Sequence, residues 1–190
     1  NKPLGLPFKG EGIPVVHQPG QKGWDKNTLP WMAFGYSVAI TPLQTLTLYN
    51  AVANNGEMVK PQFVSEIKEW NKTIKKYDKQ VINKSICDQE TISKLKAVLK
   101  NVVKRGTGSK LYSKDFSMAG KTGTAQVVSI PQSEKVRMKE SEMEYFQRSH
   151  AWITTYGPYK NPKYVVTIIQ EHGGGGGSAG CIGCVCDNGI

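Results

Sequence analysis

Hydrophobic residues recur at helical spacing in residues 42–53, and the residues at the start of this stretch form a helix start signal. Thr41 can cap the helix, Pro42 suits its first position, and Gln44 completes a capping box with Thr41. The Asn-Asn-Gly sequence of residues 54–56 is expected to end it, since glycine readily adopts the left-handed conformation that closes a helix. The pattern therefore predicts an amphipathic helix in this region.

A second helix is predicted from its N-cap, Asp88, to about Lys104. Its apolar stripe consists of six residues: Ile92, Leu95, Val98, Leu99, Val102 and Val103. Lys96, Lys100 and Lys104 stand four residues apart on the other side and are expected to face water. The Gly-Thr-Gly sequence of residues 106–108 is expected to end the helix.

The first half of the chain contains less regular patterns as well. Residues 1–30 are rich in proline and glycine and are expected to be irregular, with short extended pieces such as residues 13–16. Residues 63–70 and 73–77 alternate apolar and polar side chains, which predicts two short strands joined by a turn at residues 71–72.

After residue 116 the period changes to that of β-strands. Residues 121–128, 151–156 and 164–171 are rich in β-branched and aromatic side chains and predict three strands. The short link 157–163 predicts that the last two strands are antiparallel neighbours, and the charged residues 129–148 are expected to form a long loop or a partly helical excursion. Helices followed by strands indicate an α+β fold with an antiparallel sheet.

Composition narrows the class of protein. The chain has 190 residues, of which 38% are hydrophobic and 9% aromatic, and these fractions are too high for a disordered chain. Four cysteines are too few for a disulfide scaffold. No apolar run approaches the ~18 residues of a membrane-spanning helix. The composition therefore indicates a globular chain with a hydrophobic core.

The net charge of +10 is concentrated in one window. Residues 66–114 hold 13 lysines and arginines against five acidic residues, a net +8. Such a window is compatible with a phosphate-binding surface, with a solvated face, or with a surface near anionic lipid or polymer. Most of the basic residues are lysines and aromatic residues are few, which favours the solvated face over nucleic-acid recognition.

The candidate chemistry lies in residues 118–126, Met-Ala-Gly-Lys-Thr-Gly-Thr-Ala-Gln. K-T-G opening a strand is the third of three motifs, S-x-x-K, S-x-N and K-T-G, of serine acyl-transferases that react with penicillin. Lys121 would place positive charge near the nucleophile and the substrate carboxylate, and the Thr122 and Thr124 hydroxyls would bind that carboxylate. Gly123 would let substrate backbone lie along the strand edge, and the Thr124 N–H would face the developing oxyanion.

Further segments extend this motif into a family resemblance. Together with residues 118–126, residues 35–44 and 51–56 resemble the transpeptidase domain of class B penicillin-binding proteins, and residues 150–152, 161–163 and 171–177 add to the likeness. The chain is most similar to the elongation-type branch, which builds the side wall of rod-shaped bacteria, and residues 30–126 also resemble the division-type branch. The resemblance covers about residues 5–179.

The resemblance implies a fold like that of penicillin-binding proteins and serine β-lactamases, and D,D-transpeptidase activity that cross-links peptidoglycan stem peptides through a serine acyl-enzyme. It implies no metal or organic cofactor, β-lactams as substrate mimics, and cell-wall synthesis proteins as partners. Lys121 and Thr124 are expected to be catalytic, and Lys121, Thr122, Gly123 and Thr124 to bind substrate. The complete enzyme is expected to be anchored in the inner membrane and to act in the periplasm.

The nucleophile motif is the main departure from the family. The S-x-x-K strings at residues 65–68 and 93–96 lie in a surface strand and in mid-helix, and both follow the landmark at residues 35–44, which in the family lies after the nucleophile. Residues 48–50 have Leu where S-x-N requires Ser. Residues 1–179 are therefore expected to be the C-terminal part of a transpeptidase domain, inactive alone.

Two further segments have competing interpretations. Cys181, Cys184 and Cys186 form C-x-x-C-x-C in residues 180–190, a spacing seen in metal sites, but a divergent Cys-rich tail is favoured because further ligands are scarce. The glycine run at residues 173–177 is expected to allow a tight turn past the cleft strands. His150, at the start of a predicted central strand, is expected to make a structural hydrogen bond.

Two alternative functions remain open from the residues alone. The first is a non-catalytic fragment or pseudoenzyme that binds peptide or envelope partners. The second is a basic nucleic-acid-binding module, which rests only on the charge of residues 66–114.

Overall fold

Short helices and strands are distributed along the chain, and the longest strands lie near its end. A computed structural model describes residues 2–127 and 142–179. The helices are α1 (Thr28–Ala33), α2 (Pro42–Ala53) and α3 (Gln89–Arg105). The strands are β1 (Val15–Val16), β2 (Val38–Ala39), β3 (Met58–Val59), β4 (Glu66–Glu69), β5 (Lys72–Lys76), β6 (Val81–Asn83), β7 (Ala119–Ala125), β8 (His150–Gly157) and β9 (Tyr164–Gln170).

Within residues 2–127 and 142–179 the main sheet has three antiparallel strands in the order β7, β8, β9, so β8 lies between the other two. Pairing is continuous from Ala119 opposite Tyr156 to Ala125 opposite His150, and it continues between β8 and β9. The remaining strands form three separate two-stranded antiparallel sheets: β1 with β2, β3 with β6, and β4 with β5. The predicted α+β class and the antiparallel pairing of the last two strands are confirmed.

The start and end of α2 agree with the sequence signals. Gln44 N donates to Thr41 Oγ1 at 3.2 Å, and Thr41 N donates to Gln44 Oε1 at 2.8 Å, so both halves of the capping box are formed. After the helix, Asn55 and Gly56 both have positive φ, 55° and 98°. The predicted capping box and helix end are confirmed.

Helix α3 has the predicted N-cap and a narrower apolar stripe than expected. Thr91 N donates to Asp88 Oδ1 at 2.7 Å. Ile92, Leu99 and Val103 are buried, whereas Val98 is 58% exposed. The stripe is thus buried along only part of its predicted width.

The expectation that Lys96 and Lys100 face water is wrong. Both are half-buried. Lys96 Nζ donates to Ala53 O at 3.0 Å, and Lys100 Nζ lies 4.6 Å from the centroid of the Tyr159 ring. The end of α2 and the connection between β8 and β9 lie beside this face of α3, which helical periodicity alone cannot reveal. Lys104 is exposed as expected.

Two clusters of buried side chains hold the helices on the main sheet, and α3 contributes to both. Leu99 packs in the first cluster with Val52, Ala53, Ala119 and Tyr156. Val103 packs in the second with Leu111, Ala151, Ile153 and Ala179. Because β8 supplies residues to each cluster, the central strand joins the two parts of the core.

Several sequence-based boundaries need correction. Helix α1 was not predicted, since its six residues are too few to show a period. In the hairpin of β4 and β5 the turn residues are Trp70 and Asn71, both with positive φ, and Lys72 is in the strand. A two-residue turn of this kind matches the twist of the strands. Every residue of β4 and β5 is exposed, so the alternation of apolar and polar side chains in these strands does not correspond to one buried and one solvent-facing side.

The predicted strand 121–128 begins two residues earlier and ends at Ala125. Ala119 and Gly120 join it because Tyr156 and Thr155 of β8 pair with them. Of the predicted loop at residues 129–148, the part from residue 142 is described and contains a short 3₁₀ helix at Tyr145–Gln147. Residues 128–141 lie outside the described part of the chain.

We expect Ile153→Ala to lower the free energy of unfolding by roughly 2–5 kcal/mol, because Ile153 is 2% exposed and its loss leaves a cavity beside β8. Val166→Ala is the matched control, since Val166 of β9 is 47% exposed, and it should cost less than about 1 kcal/mol. Urea unfolding followed by circular dichroism measures both. Equal losses for the two variants would contradict the proposed core.

Acid should weaken the N-cap of α3. Hydrogen bonds from the Thr91 backbone N–H and hydroxyl hold the pKa of Asp88 below its usual value, so the folded state favours the carboxylate. This contribution is present above the unfolded pKa of about 4 and is lost as pH falls through the lower folded value. Asp88→Asn keeps an acceptor but does not titrate. Thermal unfolding at pH 7 and pH 2–3 should therefore show a smaller pH effect in the variant; an equal effect would exclude this role.

Candidate active-site strand

The four predicted site residues lie consecutively in β7. Lys121, Thr122, Gly123 and Thr124 stand opposite residues 151–154 of β8. Within the described residues β7 pairs with β8 on one side and with no strand on the other, so it forms an edge of the main sheet. An edge strand presents unpaired backbone groups to which an extended peptide can bind.

Alternation along β7 separates the two kinds of polar side chain. Lys121 and Gly123 belong to one face, and Thr122 and Thr124 to the other. Lys121 is exposed, and its Nζ donates to the backbone oxygen of Thr122 at 2.7 Å. In the described part of the chain it forms no salt bridge. Among the residues that the structure describes, the positive charge of this strand is therefore not neutralised by an ion pair.

Thr122 is held from the opposite side of the strand. It is 8% exposed, and its Oγ1 lies 2.6 Å from Oγ1 of Thr107, which follows the end of α3. The hydroxyl pair links α3 to the middle of the K-T-G motif. Sequence reasoning treated Thr107 only as part of the helix end, and the Gly-Thr-Gly pattern after a basic helix was the one signal that could have drawn attention to it.

The glycine run lies against the same strand. Gly176 N donates to Thr124 Oγ1 at 2.8 Å, and a Cβ atom on Gly176 would overlap the carbonyl oxygen of Gly123. Gly174 has a φ of 81°, a conformation that L side chains rarely adopt. The predicted tight turn past the cleft strands is confirmed, and it requires glycine for both close approach and backbone conformation.

The segment around Tyr36 contacts the residue that follows the end of β7. The Tyr36 hydroxyl donates to Gln126 Oε1 at 3.0 Å, and the Trp31 ring packs edge-on against Tyr36 with centroids 5.2 Å apart. Residues 35–44 and 118–126, which carry much of the family resemblance, are therefore brought together in space. Helix α1, which supplies Trp31, is the element that the sequence reasoning missed here.

The histidines near β8 have structural contacts. His150 Nδ1 accepts from the backbone N–H of His172 at 2.9 Å, so the predicted structural hydrogen bond is confirmed. The two rings lie 4.8 Å apart, and His172 Nδ1 is 3.2 Å from the backbone oxygen of Arg148. These contacts attach the residues after β9 to the start of β8.

Neither S-x-x-K string is arranged as a nucleophile and its base. Ser93 Oγ donates to the backbone oxygen of Gln89 at 2.8 Å, a bond within α3. Lys96 contacts Ala53 and Asn55 instead. In the other string Lys68 forms an exposed ion pair with Glu66 at 2.6 Å.

In residues 2–127 and 142–179 no three His, Cys, Asp or Glu side chains lie close enough to hold a metal ion. No helix of these residues is both long and apolar enough to cross a bilayer. Cys181, Cys184 and Cys186 lie outside the described residues, and their interpretation stays a prediction.

Comparisons with known proteins agree with the sequence resemblance. A family model for the penicillin-binding protein transpeptidase domain matches residues 3–182. Peptidoglycan D,D-transpeptidase MrdA of Haemophilus influenzae is 36% identical over 149 residues, which are 76% of this chain and 22% of MrdA. Stage V sporulation protein D of Bacillus subtilis is 27% identical over 174 residues, 88% of this chain and 24% of that protein.

Solved structures share the fold over nearly the whole chain. The complex between penicillin-binding protein PBP2 and MreC from Helicobacter pylori matches with a TM-score of 0.73 and 27% identity, covering 95% of this chain and 31% of that one. The predicted transpeptidase fold is confirmed. The chain spans about a quarter of the length of the curated relatives it matches.

The Thr107–Thr122 pair can be tested by a double-mutant cycle. We expect Thr107→Val to lower the free energy of unfolding by about 1 kcal/mol, since it leaves the buried Thr122 hydroxyl without its partner. Thr122→Val should cost a similar amount, and the double variant should cost less than the two losses combined, with a coupling of about 1 kcal/mol. Urea unfolding measures all three. Strict additivity would show that the two hydroxyls are not coupled.

Proposed function

The chain belongs to the class B penicillin-binding protein family of transpeptidase domains, and on that basis we propose that it supplies the K-T-G wall of a peptidoglycan D,D-transpeptidase cleft. The observation that carries the proposal is the exposed Lys121 on β7, a strand that within the described residues has no partner strand along one edge. A stem peptide ending in D-Ala-D-Ala offers a backbone for the strand edge and a carboxylate for the ammonium.

The proposed reaction is acyl transfer through a serine ester. A serine hydroxyl attacks the carbonyl of the penultimate D-Ala, the peptide bond to the terminal D-Ala breaks, and that residue leaves with its amine protonated. An amine of a neighbouring stem then attacks the ester, forms the cross-link and releases the serine. β-Lactams acylate the same serine, but their ester is not passed on. No step of this sequence requires a metal or an organic cofactor.

Lys121 and Thr124 have the main roles of this chain in that reaction. The Lys121 side chain leaves β7 on the other face from Thr124, but its Nζ reaches back to the Thr122 backbone oxygen at 2.7 Å. From this position its ammonium binds the terminal carboxylate of the substrate and adds positive charge near the reacting carbonyl. The Thr124 Oγ1 already accepts the Gly176 N–H, which leaves its own hydrogen to donate to a carboxylate oxygen. The Thr124 backbone N–H is assigned to the developing oxyanion.

Gly123 and Thr122 support binding in different ways. Gly123 has no side chain, so substrate backbone can approach the strand closely. The Thr122 hydroxyl is shared with Thr107, and any contact it makes with the substrate carboxylate involves the two hydroxyls together. Thr107 thus joins the proposed site although no sequence motif included it.

We further propose that residues 1–179 are the C-terminal part of the transpeptidase domain and that residues 180–190 are a divergent tail. In this proposal the S-x-x-K serine and S-x-N come from preceding chain. The relatives are about four times longer than the matched region, which supports this assignment. Exposed aromatic surface supports it too: Phe34 is 80% exposed, close in sequence to the exposed Trp31 and Tyr36.

The cellular setting is proposed from the relatives. The solved structure from Helicobacter pylori contains PBP2 with MreC, and we propose that this chain likewise works with cell-wall synthesis proteins, as an elongation-type enzyme. Action on the periplasmic side of the inner membrane, with an anchor outside this chain, follows from the same proposal. Nucleic acid is not expected as a partner.

Labelling with a fluorescent penicillin tests the proposal. The 190-residue chain alone should form no adduct that survives denaturation, because it supplies the wall and not the nucleophile. A chimera in which residues 3–179 replace the matching segment of the Haemophilus influenzae MrdA should be labelled. Lys121→Ala in the chimera should slow acylation by roughly 100-fold or more.

A control variant of the chimera tests whether the effect is specific to Lys121. Lys104→Gln removes an exposed lysine outside β7 and should leave the rate of labelling unchanged. A labelled band from the chain alone would show that the nucleophile lies within its 190 residues. A chimera that folds by circular dichroism but takes no label would instead favour a non-catalytic, peptide-binding role.

A further inference from the structure

A second concave site lies away from β7, between the end of α2, helix α3 and the connection from β8 to β9. This cavity has a volume of about 260 Å³, and three of its lining residues are Lys96, Lys160 and Lys163. No Asp or Glu belongs to the described residues that line it. Its wall contains no residue of β7, so it is separate from the proposed transpeptidase site.

Lys96 is held at this cavity by neutral oxygens. Its Nζ donates to the backbone oxygen of Ala53 at 3.0 Å and to Asn55 Oδ1 at 2.6 Å. Burial lowers the pKa of Lys96, and within the described residues it has no ion-pair partner. An ammonium group has three donors, of which these contacts use two. A half-buried cation is thus fixed in place with one donor left for a ligand.

The opposite wall brings two more cations to the same space. Lys160 and Lys163 are exposed and lie in the connection between β8 and β9, which is closed by a hydrogen bond from Lys163 N to Gly157 O of 2.9 Å. A second bond, from Tyr159 N to Ser117 O at 2.8 Å, attaches this connection to the residues before β7. The connection therefore holds its lysines near Lys96 through backbone contacts.

Neighbouring groups add to the positive potential and to the supply of donors. Lys100, one turn after Lys96, lies over the Tyr159 ring beside the cavity. The side-chain amides of Asn55 and Asn161 line the cavity and can donate to anion oxygens or bond to hydroxyls. Several cations without a carboxylate among the described lining residues form a site that repels cations and attracts a multiply charged anion.

We propose that this cavity binds the phosphate group of a phosphate-bearing ligand. Three lysines that line one cavity match the several charged oxygens of phosphate better than the single charge of a carboxylate. The cavity volume is just below the ~300 Å³ at which ordinary small-molecule pockets begin, so it can hold phosphate with a small attached group. The ligand is either a soluble phosphate ester or the headgroup of an anionic lipid.

Amide NMR titration of the 190-residue chain with inorganic phosphate tests the site. Saturable shifts are expected at Asn55, Asn161 and their neighbours. Lys160→Gln with Lys163→Gln should weaken binding by about tenfold or more, because two of the three cations are removed. Both lysines are exposed, so the double variant should keep its fold. Lys104→Gln with Lys114→Gln is the matched control, which removes the same charge from exposed positions outside the cavity.

Vesicle binding then distinguishes the two sources of phosphate. Binding of the chain to vesicles that contain phosphatidic acid, a phosphate monoester, is compared with binding to vesicles of phosphatidylcholine. If the ligand is a lipid, binding to the phosphatidic acid vesicles should depend on Lys160 and Lys163; if the ligand is soluble, it should not. Absence of saturable phosphate binding would overturn the proposal. An equal loss in the cavity and control variants would also overturn it, since only net charge would then matter.

Discussion

The antiparallel pairing of β7 with β8 is the constraint on which the rest of the structure depends. The register runs from Ala119 opposite Tyr156 to Ala125 opposite His150. It decides which side chains of the K-T-G motif lie on each of the two faces of the main sheet. A shift of one residue would exchange Lys121 with Thr122, because side chains alternate along a strand. Burial of Ala119 of β7 in the first core cluster opposes such a shift, so hydrophobic packing two residues before Lys121 helps to set the direction of the site residues.

Contacts from three distant parts of the chain support this strand. Thr107 bonds to Thr122, Gly176 to Thr124, and Tyr36 to Gln126. Each contact orients a polar group within or next to the K-T-G motif, and each comes from a segment with no chemistry of its own. A site that depends on small differences in geometry needs such support, because strand pairing alone leaves side-chain rotamers free.

The uneven charge of the chain has more than one physical role. Lys96 and Lys100 make specific contacts with α2 and with Tyr159, whereas Lys104 is solvated. Two of these lysines therefore belong to a shaped surface beside Lys160 and Lys163, and not to a uniform basic face. The same positive charge would attract anions generally at long range, whereas the cavity is lined by three lysines.

Local signals in the sequence determined much of this protein. The capping box of Thr41 and Gln44, the N-cap Asp88 and the β-branched strands each act over a few residues, and the K-T-G motif placed the candidate site and the family. The tertiary structure alone decided that Thr107 meets Thr122, that Gly176 lies on Gly123, and that Lys96 is half-buried. Such contacts join residues 15 to more than 50 positions apart, and no periodicity or propensity specifies them because they follow from how helices and strands pack.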